Sequence, residues 1–452
     1  MAVIAPFRGL TYNFKKMGDM SRLVAPPYDV ISPKEQEEFY RAHPKNVVRL
    51  ILGKKKKGDS DWDNRYTRSA DYLKRWESED ILIRSEYPSI YLVSHTYDPG
   101  DGSGLRVRWG FIALVRIEEE GSAVILPHER TFSAHKDDRL RLMRACNAQL
   151  SQVFALYDDS DNIIFHGLKQ FTQSPPQVSF TMRDGTGHKM WIIQDNVLIR
   201  AVQNAMRDKS IFIADGHHRY ETSRNYRNIM RARYGDGRGT RSYEYLMMYL
   251  SDMNDRGLTI LPSHRLIKKC GGFIHGDFIK KAGQWFEVDA LPFTTPCQQD
   301  NRCADFQKAL ARKGEQTPAI GFHYHGGERY YLLSLRQGIT DTMDDGLHPS
   351  LKKLDVIVLS RLLLQEALGF TDDDLDNDSI FHYNSNMAES IRLVDSGEYE
   401  MAFLLNPTRM DQVKEVAGNS LIMPRKSTYF YPKVLTGLVF NKIDPHEIVQ
   451  IA

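Results

Sequence analysis

The ten residues Ile213–Thr222, I-A-D-G-H-H-R-Y-E-T, restrict the fold of this chain more than any other stretch. The short apolar run Ser210–Ala214 before them has the character of a buried strand. After them, Tyr220 to Tyr234 contains neither proline nor glycine and can run as a helix. Asp215-Gly216-His217-His218-Arg219 is therefore expected to be a tight strand-to-helix turn. Gly216 removes side-chain bulk where a ligand approaches the backbone, and the first amides of a helix lack intrahelical acceptors. A helix N-terminus is partly positive and Arg219 adds a full charge, so the turn suits a phosphate. The G-x-x-x-x-G-K-[ST] loop and the G-x-G-x-x-G fingerprint are both missing from this stretch. The alternative reading is a tight turn whose histidines only hydrogen-bond locally.

The rest of the chain alternates helices and strands, which predicts an α/β (α+β) fold in three regions, 1–122, 123–269 and 270–452. Ala25–Ile31 (A-P-P-Y-D-V-I) is a stiff extended entry carrying Asp29, a further candidate for the site. Ser32, Pro33 and Glu35 form a helix start with a capping box. That helix ends near His43-Pro44, and Asn46–Leu52 reads as a strand. Gly53–Gly58 is a basic loop, Arg65–Glu79 a helix, and Ser89–Tyr97 with Arg106–Glu118 a hairpin. Lys136–Asn147 reads as a helix with Leu140, Met143 and Ala145 inward and Arg139, Arg141 and Arg144 outward. Further on, Leu258–Arg265 is a strand ending in a polar corner, where His264 and Arg265 either face a ligand or meet solvent. Leu354–Leu368 is the strongest helix, and the acidic run Asp372–Asp378 lacks the glycine and terminal glutamate of an EF-hand, leaving a solvated linker.

A second chemically loaded stretch is Pro127-His128-Glu129-Arg130-Thr131. Glu129, with His128, Arg130 and Lys136 nearby, is placed to act as a general base or else to join a surface ion-pair cluster. Met423–Lys433 (M-P-R-K-S-T-Y-F-Y-P-K) brings Arg425, Lys426 and Lys433 between prolines, either as a wall for an anionic ligand or as an exposed basic loop.

Composition narrows the function classes. Of 452 residues, 41% are hydrophobic and 26% charged, which suits a globular enzyme. A formal charge of +2 supplies no field to recruit nucleic acid or an anionic membrane, so a small-molecule partner is expected. No run approaches a membrane span, and Met1–Arg8 lacks the layout of a secretory signal. Cys146, Cys270, Cys297 and Cys303 form no C-x-x-C pair, which argues against a zinc or redox site. A cytoplasmic protein is expected.

Five motifs then occur together: A-P-P-Y-D-V-I, L-P-H-E-R-T (Leu126–Thr131), I-A-D-G-H-H-R-Y-E-T, L-P-S-H-R-L (Leu261–Leu266) and M-P-R-K-S-T-Y-F-Y-P-K. With them the chain resembles the microbial domain-of-unknown-function 1015 family over nearly its full length. More distantly, P-H-E followed by D-G-H-H-R resembles the ParB/sulfiredoxin superfamily, especially its free serine kinases. That resemblance implies a ParB/sulfiredoxin-like core with large N- and C-terminal additions. It implies Glu129 as catalytic base, and Asp215, Gly216, His217, His218 and Arg219 around nucleotide phosphates, with His218 also a catalytic candidate. The chain departs from that pattern in two ways: 86 positions separate Glu129 from Asp215, and about 120 residues precede the P-H-E loop while about 180 follow the His-Arg corner. Because His217 follows Gly216, the sulfiredoxins' cysteine is missing from the turn and their chemistry is set aside.

The resemblance implies nucleotide-dependent phosphoryl transfer to a small hydroxylated metabolite, free serine foremost, using ATP or ADP. Mg²⁺ is expected only because nucleotide phosphates bring it. A phosphatase of a phosphorylated metabolite such as phosphoserine would use the same groups, and a ParB-type nucleotide switch or a metal hydrolase on His128, His217 and His218 are further alternatives. If one reaction uses both motifs, Glu129 has to face the Asp215 turn across a cleft.

Overall fold

Residues 1–129, 133–269, 271–292, 296–343 and 346–451 are described by the computed structural model of the chain. The chain forms two compact units: residues 1–127, 131–259 and 430–452 make one, and 128–130 with 260–429 make the other. Both mix helices and sheets, so the class is the mixed α/β one expected from the alternation.

The first unit is built on a nine-stranded sheet. Its strands are β1 (Ile4–Ala5), β2 (Ile90–Tyr97), β3 (Arg106–Arg116), β4 (Ile125–Leu126), β5 (Val153–Tyr157), β6 (Val178–Thr181), β7 (Gly187–Ile193), β8 (Ile211–Asp215) and β9 (Tyr245–Asp252). They lie in the order β4-β8-β5-β9-β3-β2-β7-β6, with β1 pairing to β3. Alternation along each strand splits the sheet into two faces. One carries Leu92, Phe111, Val153, Ala155, Ile213 and Leu250 into a dry core closed by α4 (Ile163–Lys169) and α5 (Asn196–Met206). The other carries Tyr91, Phe154 and Tyr249 together with polar side chains.

Around this sheet the local rules of the sequence hold closely. Helix α1 (Pro33–Ala42) begins on Ser32 with the reciprocal Glu35 capping box and ends at His43. Asn64 caps α2 (Arg65–Ser78). The 2–3 and 6–7 hairpins form where turn residues separate the apolar runs.

Asn46–Leu52 is a correction: Val48–Ile51 is a helical turn rather than a strand. The cause is Asn46, fully buried, whose Oδ1 accepts from the Val48 amide at 2.9 Å while its Nδ2 donates to the carbonyls of Arg22 and Val24. A side chain that satisfies the turn locally outweighs β-propensity in the following residues. Helix α3 (Ser133–Cys146) also differs, because Arg139, Leu142 and Cys146 form its buried stripe while Leu140 and Met143 are half-buried.

In the second unit a six-stranded sheet orders β11-β13-β12-β15-β10-β14, where β10 is His264–Ile267, β11 Phe286–Pro292, β12 Ala319–Tyr324, β13 Arg329–Leu335, β14 Phe381–Asn384 and β15 Met401–Leu405. Leu258–Arg265 is thus broken at Pro262-Ser263, and His264 and Arg265 lie inside a buried strand, not at an open corner. The long Leu354–Leu368 helix starts as α-helix over Asp355–Val358 and continues in π geometry over Leu359–Ala367. Leu362, Leu363 and Leu364 are all buried, more than the narrow stripe of a regular helix can turn inward.

Replacing Asn46 by alanine removes three hydrogen bonds and strands two buried carbonyls. Denaturant unfolding should show a loss of about 3 kcal/mol; a loss below about 1 kcal/mol would mean that the helical turn is held by something else.

Candidate functional site

Strand β8 delivers its last residue to the site through an irregularity. Ile213 is in register with Ala155, yet Asp215 is in register with Phe154, so one extra residue, Ala214, is accommodated between them. A bulge of this kind re-aims the side chain that follows it. Asp215 is thereby turned from the dry face, where Ile213 packs, to the face of Phe154. Gly216 follows at φ +95°, left-handed backbone that glycine adopts without strain, and caps α6 (His217–Tyr234), an 18-residue helix. A Cβ at this position would come within 2.8 Å of the Arg219 guanidinium.

Two cations hold the Asp215 carboxylate. Lys433 Nζ lies 2.5 Å from Oδ1, and Arg219 Nη2 donates to Oδ2 at 2.5 Å. Arg219 Nη1 also donates to the Gln152 carbonyl, and the residue is buried. Its guanidinium fork thus locks the turn against β5, while the lysine contributes a flexible cation to the same carboxylate. His217, the first residue of α6, is buried, and burial drives its pKa down to about 4 although Asp215 partly opposes the shift. His218 is half-buried.

Behind Arg219 lies a narrow cavity of about 40 Å³, lined by Tyr28, Arg139, Ser151, Arg219 and Thr222 among others. It has room for little more than one water. Tyr28 stacks on the Arg139 guanidinium at 3.9 Å, and burial with the neighbouring Asp29 charge pushes its hydroxyl up to about 12. The rigid A-P-P-Y-D-V-I entry therefore places Tyr28 beside the turn, whereas Asp29 itself is exposed. Tyr28 and Arg139 were not singled out in the sequence. Arg139 was legible in principle, since residues 139, 142 and 146 share one helical face.

The second unit gathers a different group. The Met423 amide donates to the His128 carbonyl at 2.8 Å, and Glu129 Oε1 accepts from the Lys426 amide at 2.9 Å. His128 Nε2 stands 3.4 Å from the Thr428 hydroxyl. Arg265 donates to the Ser263 and Arg425 carbonyls and packs over Tyr383. Its neighbour His264 accepts from the Leu405 amide, with burial pushing its pKa to about 3. Arg425 pairs with Asp378 at 3.0 Å and reaches the Asp376 carbonyl, so the acidic run is tied down at that end rather than being only a solvated linker. The motifs at 128–129, 264–265 and 425–426 are therefore neighbours within one unit. Lys136 is not with them, being paired to Glu221 at 2.9 Å, and Arg130 lies outside the described residues. Among the described residues, no group of three or more His, Cys, Asp or Glu side chains could hold a metal ion, and no helix is long and apolar enough to cross a membrane.

A glycine-capped helix start beside a lysine–carboxylate–arginine chain, on a mixed sheet, is the arrangement the first unit presents at this turn. The chain belongs to the family described as "Protein of unknown function (DUF1015)", which matches residues 4–357. No curated protein matches it. Among solved structures it is similar to a free serine kinase variant in complex with AMP, at 10% identity and a TM-score of 0.37, over 74% of this chain and 91% of that one. It is likewise similar to a conserved hypothetical protein from Pyrococcus furiosus (11%, TM-score 0.32, 71% and 90%) and to C-terminally truncated SbnI from Staphylococcus aureus (10%, TM-score 0.33, 72% and 85%).

Because the folded pKa of His217 lies below its ordinary value of 6.5, the folded chain binds fewer protons there than the unfolded chain between pH 6.5 and about 4. Stability is lost as pH falls through that window and no further below it. Against His217→Asn, the wild type should lose on the order of 3 kcal/mol across the window, read from paired denaturation curves at each pH. Parallel pH dependences would place His217 in a solvated setting instead.

Proposed function

We propose that this protein transfers a phosphoryl group between a nucleotide and a small hydroxylated metabolite, with free serine the foremost acceptor. The observation that carries the reading is the Lys433–Asp215–Arg219 chain at the glycine-capped start of α6. Phosphoryl transfer needs positioning and charge neutralisation above all. The first amides of α6 offer donors and partial positive charge, Lys433 offers a mobile cation, and Arg219 keeps the turn rigid. His217 and His218 flank the same turn, His217 as a neutral group at physiological pH.

Glu129 takes the role of base that the P-H-E motif suggests. In the forward direction the acceptor oxygen bonds to the terminal phosphorus, its proton passes to the Glu129 carboxylate, and the bond to the departing nucleotide oxygen breaks. The Lys426 amide, hydrogen-bonded to Oε1, orients that carboxylate. Both Asp215 oxygens are taken by Lys433 and Arg219, so this carboxylate does not fit a magnesium ion, and no step runs through one.

Isothermal titration with ATP, ADP and AMP, together with turnover measured on serine, tests the assignments. Glu129→Gln should keep nucleotide affinity and lose turnover by roughly 100-fold or more. Full turnover in that variant would remove Glu129 from the chemistry. Lys433→Ala should weaken nucleotide binding by about 10-fold, the loss of one charge-assisted contact; unchanged affinity would place the phosphates elsewhere.

A further inference from the structure

On the face of the first sheet to which the bulge turns Asp215, three polar side chains form a row across adjacent strands. Arg108 on β3 is in register with His95 on β2, and His95 with His188 on β7. Arg108 and His95 are fully buried and His188 nearly so. None of the three Arg108 guanidinium nitrogens makes a hydrogen bond, nor do His95 Nε2 or either nitrogen of His188. Two ring faces address the cation, Phe154 at 4.7 Å and Tyr249 at 5.4 Å, and a ring face cannot accept its in-plane N–H groups; the Tyr249 hydroxyl is a further polar neighbour of the guanidinium.

The surrounding charges do not close this gap. Asp255 is the carboxylate whose field reaches Arg108, but its oxygens are engaged by the Trp109 and Gly257 amides at 2.8 and 2.7 Å. Tyr249 meets His95 Nδ1 at 3.4 Å, and Tyr97 is spent on the Gly257 carbonyl and the Thr259 hydroxyl. The Asp184 charge acts on His188 and not on His95. Burial and Arg108 hold His95 well below the ordinary histidine range, and burial holds His188 near 4, so both are neutral at physiological pH and each keeps one N–H to donate. A buried planar fork with one uncompensated charge, flanked by neutral donors, fits a planar monoanion.

We propose that the Arg108–His95–His188 row receives the carboxylate of a small hydroxy acid, amino acids such as serine included. One fixed positive charge balances a carboxylate and leaves a phosphate dianion half uncompensated. The row also shares its face with the phosphate turn: Phe154, which Arg108 covers, is the cross-strand partner of Asp215. A ligand anchored by its carboxylate at Arg108 thus extends along the sheet toward the turn with its hydroxyl leading. That the ligand is the phosphoryl acceptor rests on the function proposed above; the carboxylate site does not.

Calorimetry and thermal shift on the full chain test this with L-serine, lactate, ethanolamine and inorganic phosphate, all without nucleotide. Serine or lactate should bind and raise the melting temperature, while ethanolamine, which lacks the carboxylate, should not; inorganic phosphate, held by the α6 turn, should neither compete with serine nor depend on Arg108. Arg108→Met should abolish carboxylate binding yet melt no lower than the wild type without ligand, because a buried unpaired charge has been replaced by an apolar chain. Arg108→Lys keeps the charge without the fork and should bind roughly 10-fold more weakly or worse; it decides the matter if the methionine variant does not fold. Failure of both carboxylates to bind, displacement of serine by inorganic phosphate, or undiminished carboxylate binding in either variant overturns the proposal. Carboxylate binding lost with Arg108 but no nucleotide consumed with any acceptor would instead sink the phosphoryl-transfer reading and leave this site standing.

Discussion

A carboxylate gripped by two cations at the end of a strand organises the first unit. Asp215 could not be turned off the dry face of the sheet without compensation, since an ionised group in that position is costly unless paired. Arg219, one helical turn further on, answers it from within the same motif, and Lys433 answers it from 218 residues away. The arginine is in turn fixed by the Gln152 carbonyl, immediately before β5. Strand, turn and helix are thus joined by charge as well as by backbone hydrogen bonds, and Gly216 is required because a side chain there would occupy the space of the Arg219 guanidinium.

Local structure was largely legible in the sequence where a short-range rule decided it. The capping box at Ser32 and Glu35, the hairpins, and the strand and helix flanking Gly216 follow from nearest-neighbour chemistry. The failures share another cause. Asn46 bends its segment by bonding to carbonyls more than twenty positions back, and Arg139 goes inward because Tyr28 and the Ile51 carbonyl receive it. His264 and Arg265 lie in a buried strand because β14 and β15 close over them on either side. In each case the deciding partner is remote in sequence, and a polar residue looks exposed until that partner is known. The same applies to the site: the strand-to-helix turn could be read from ten residues and Lys433 named as a candidate, but that this lysine reaches Asp215 could not be foreseen.

The two faces of the first sheet divide its labour. One packs an apolar core that gains from burial. The other carries Asp215, Arg108, His95, His188 and the rings of Phe154 and Tyr249, a set that costs free energy to bury and is a poor choice for stability alone. Natural sheets tolerate such faces where a function repays the cost. The signal in the sequence is faint but real: R-V-R-W-G-F-I places charge at alternate positions of a strand whose other positions are apolar.

The path of the chain between the units sets an order of events during synthesis. Residues 260–429, which make up most of the second unit, emerge from the ribosome after β8 and α6 but before Lys433. Throughout that interval Asp215 has Arg219 alone as its cation, so the nascent first unit carries its turn without the lysine. A message truncated anywhere in that interval would therefore yield a polypeptide with its large sheet translated and its Asp215 turn permanently missing a charge.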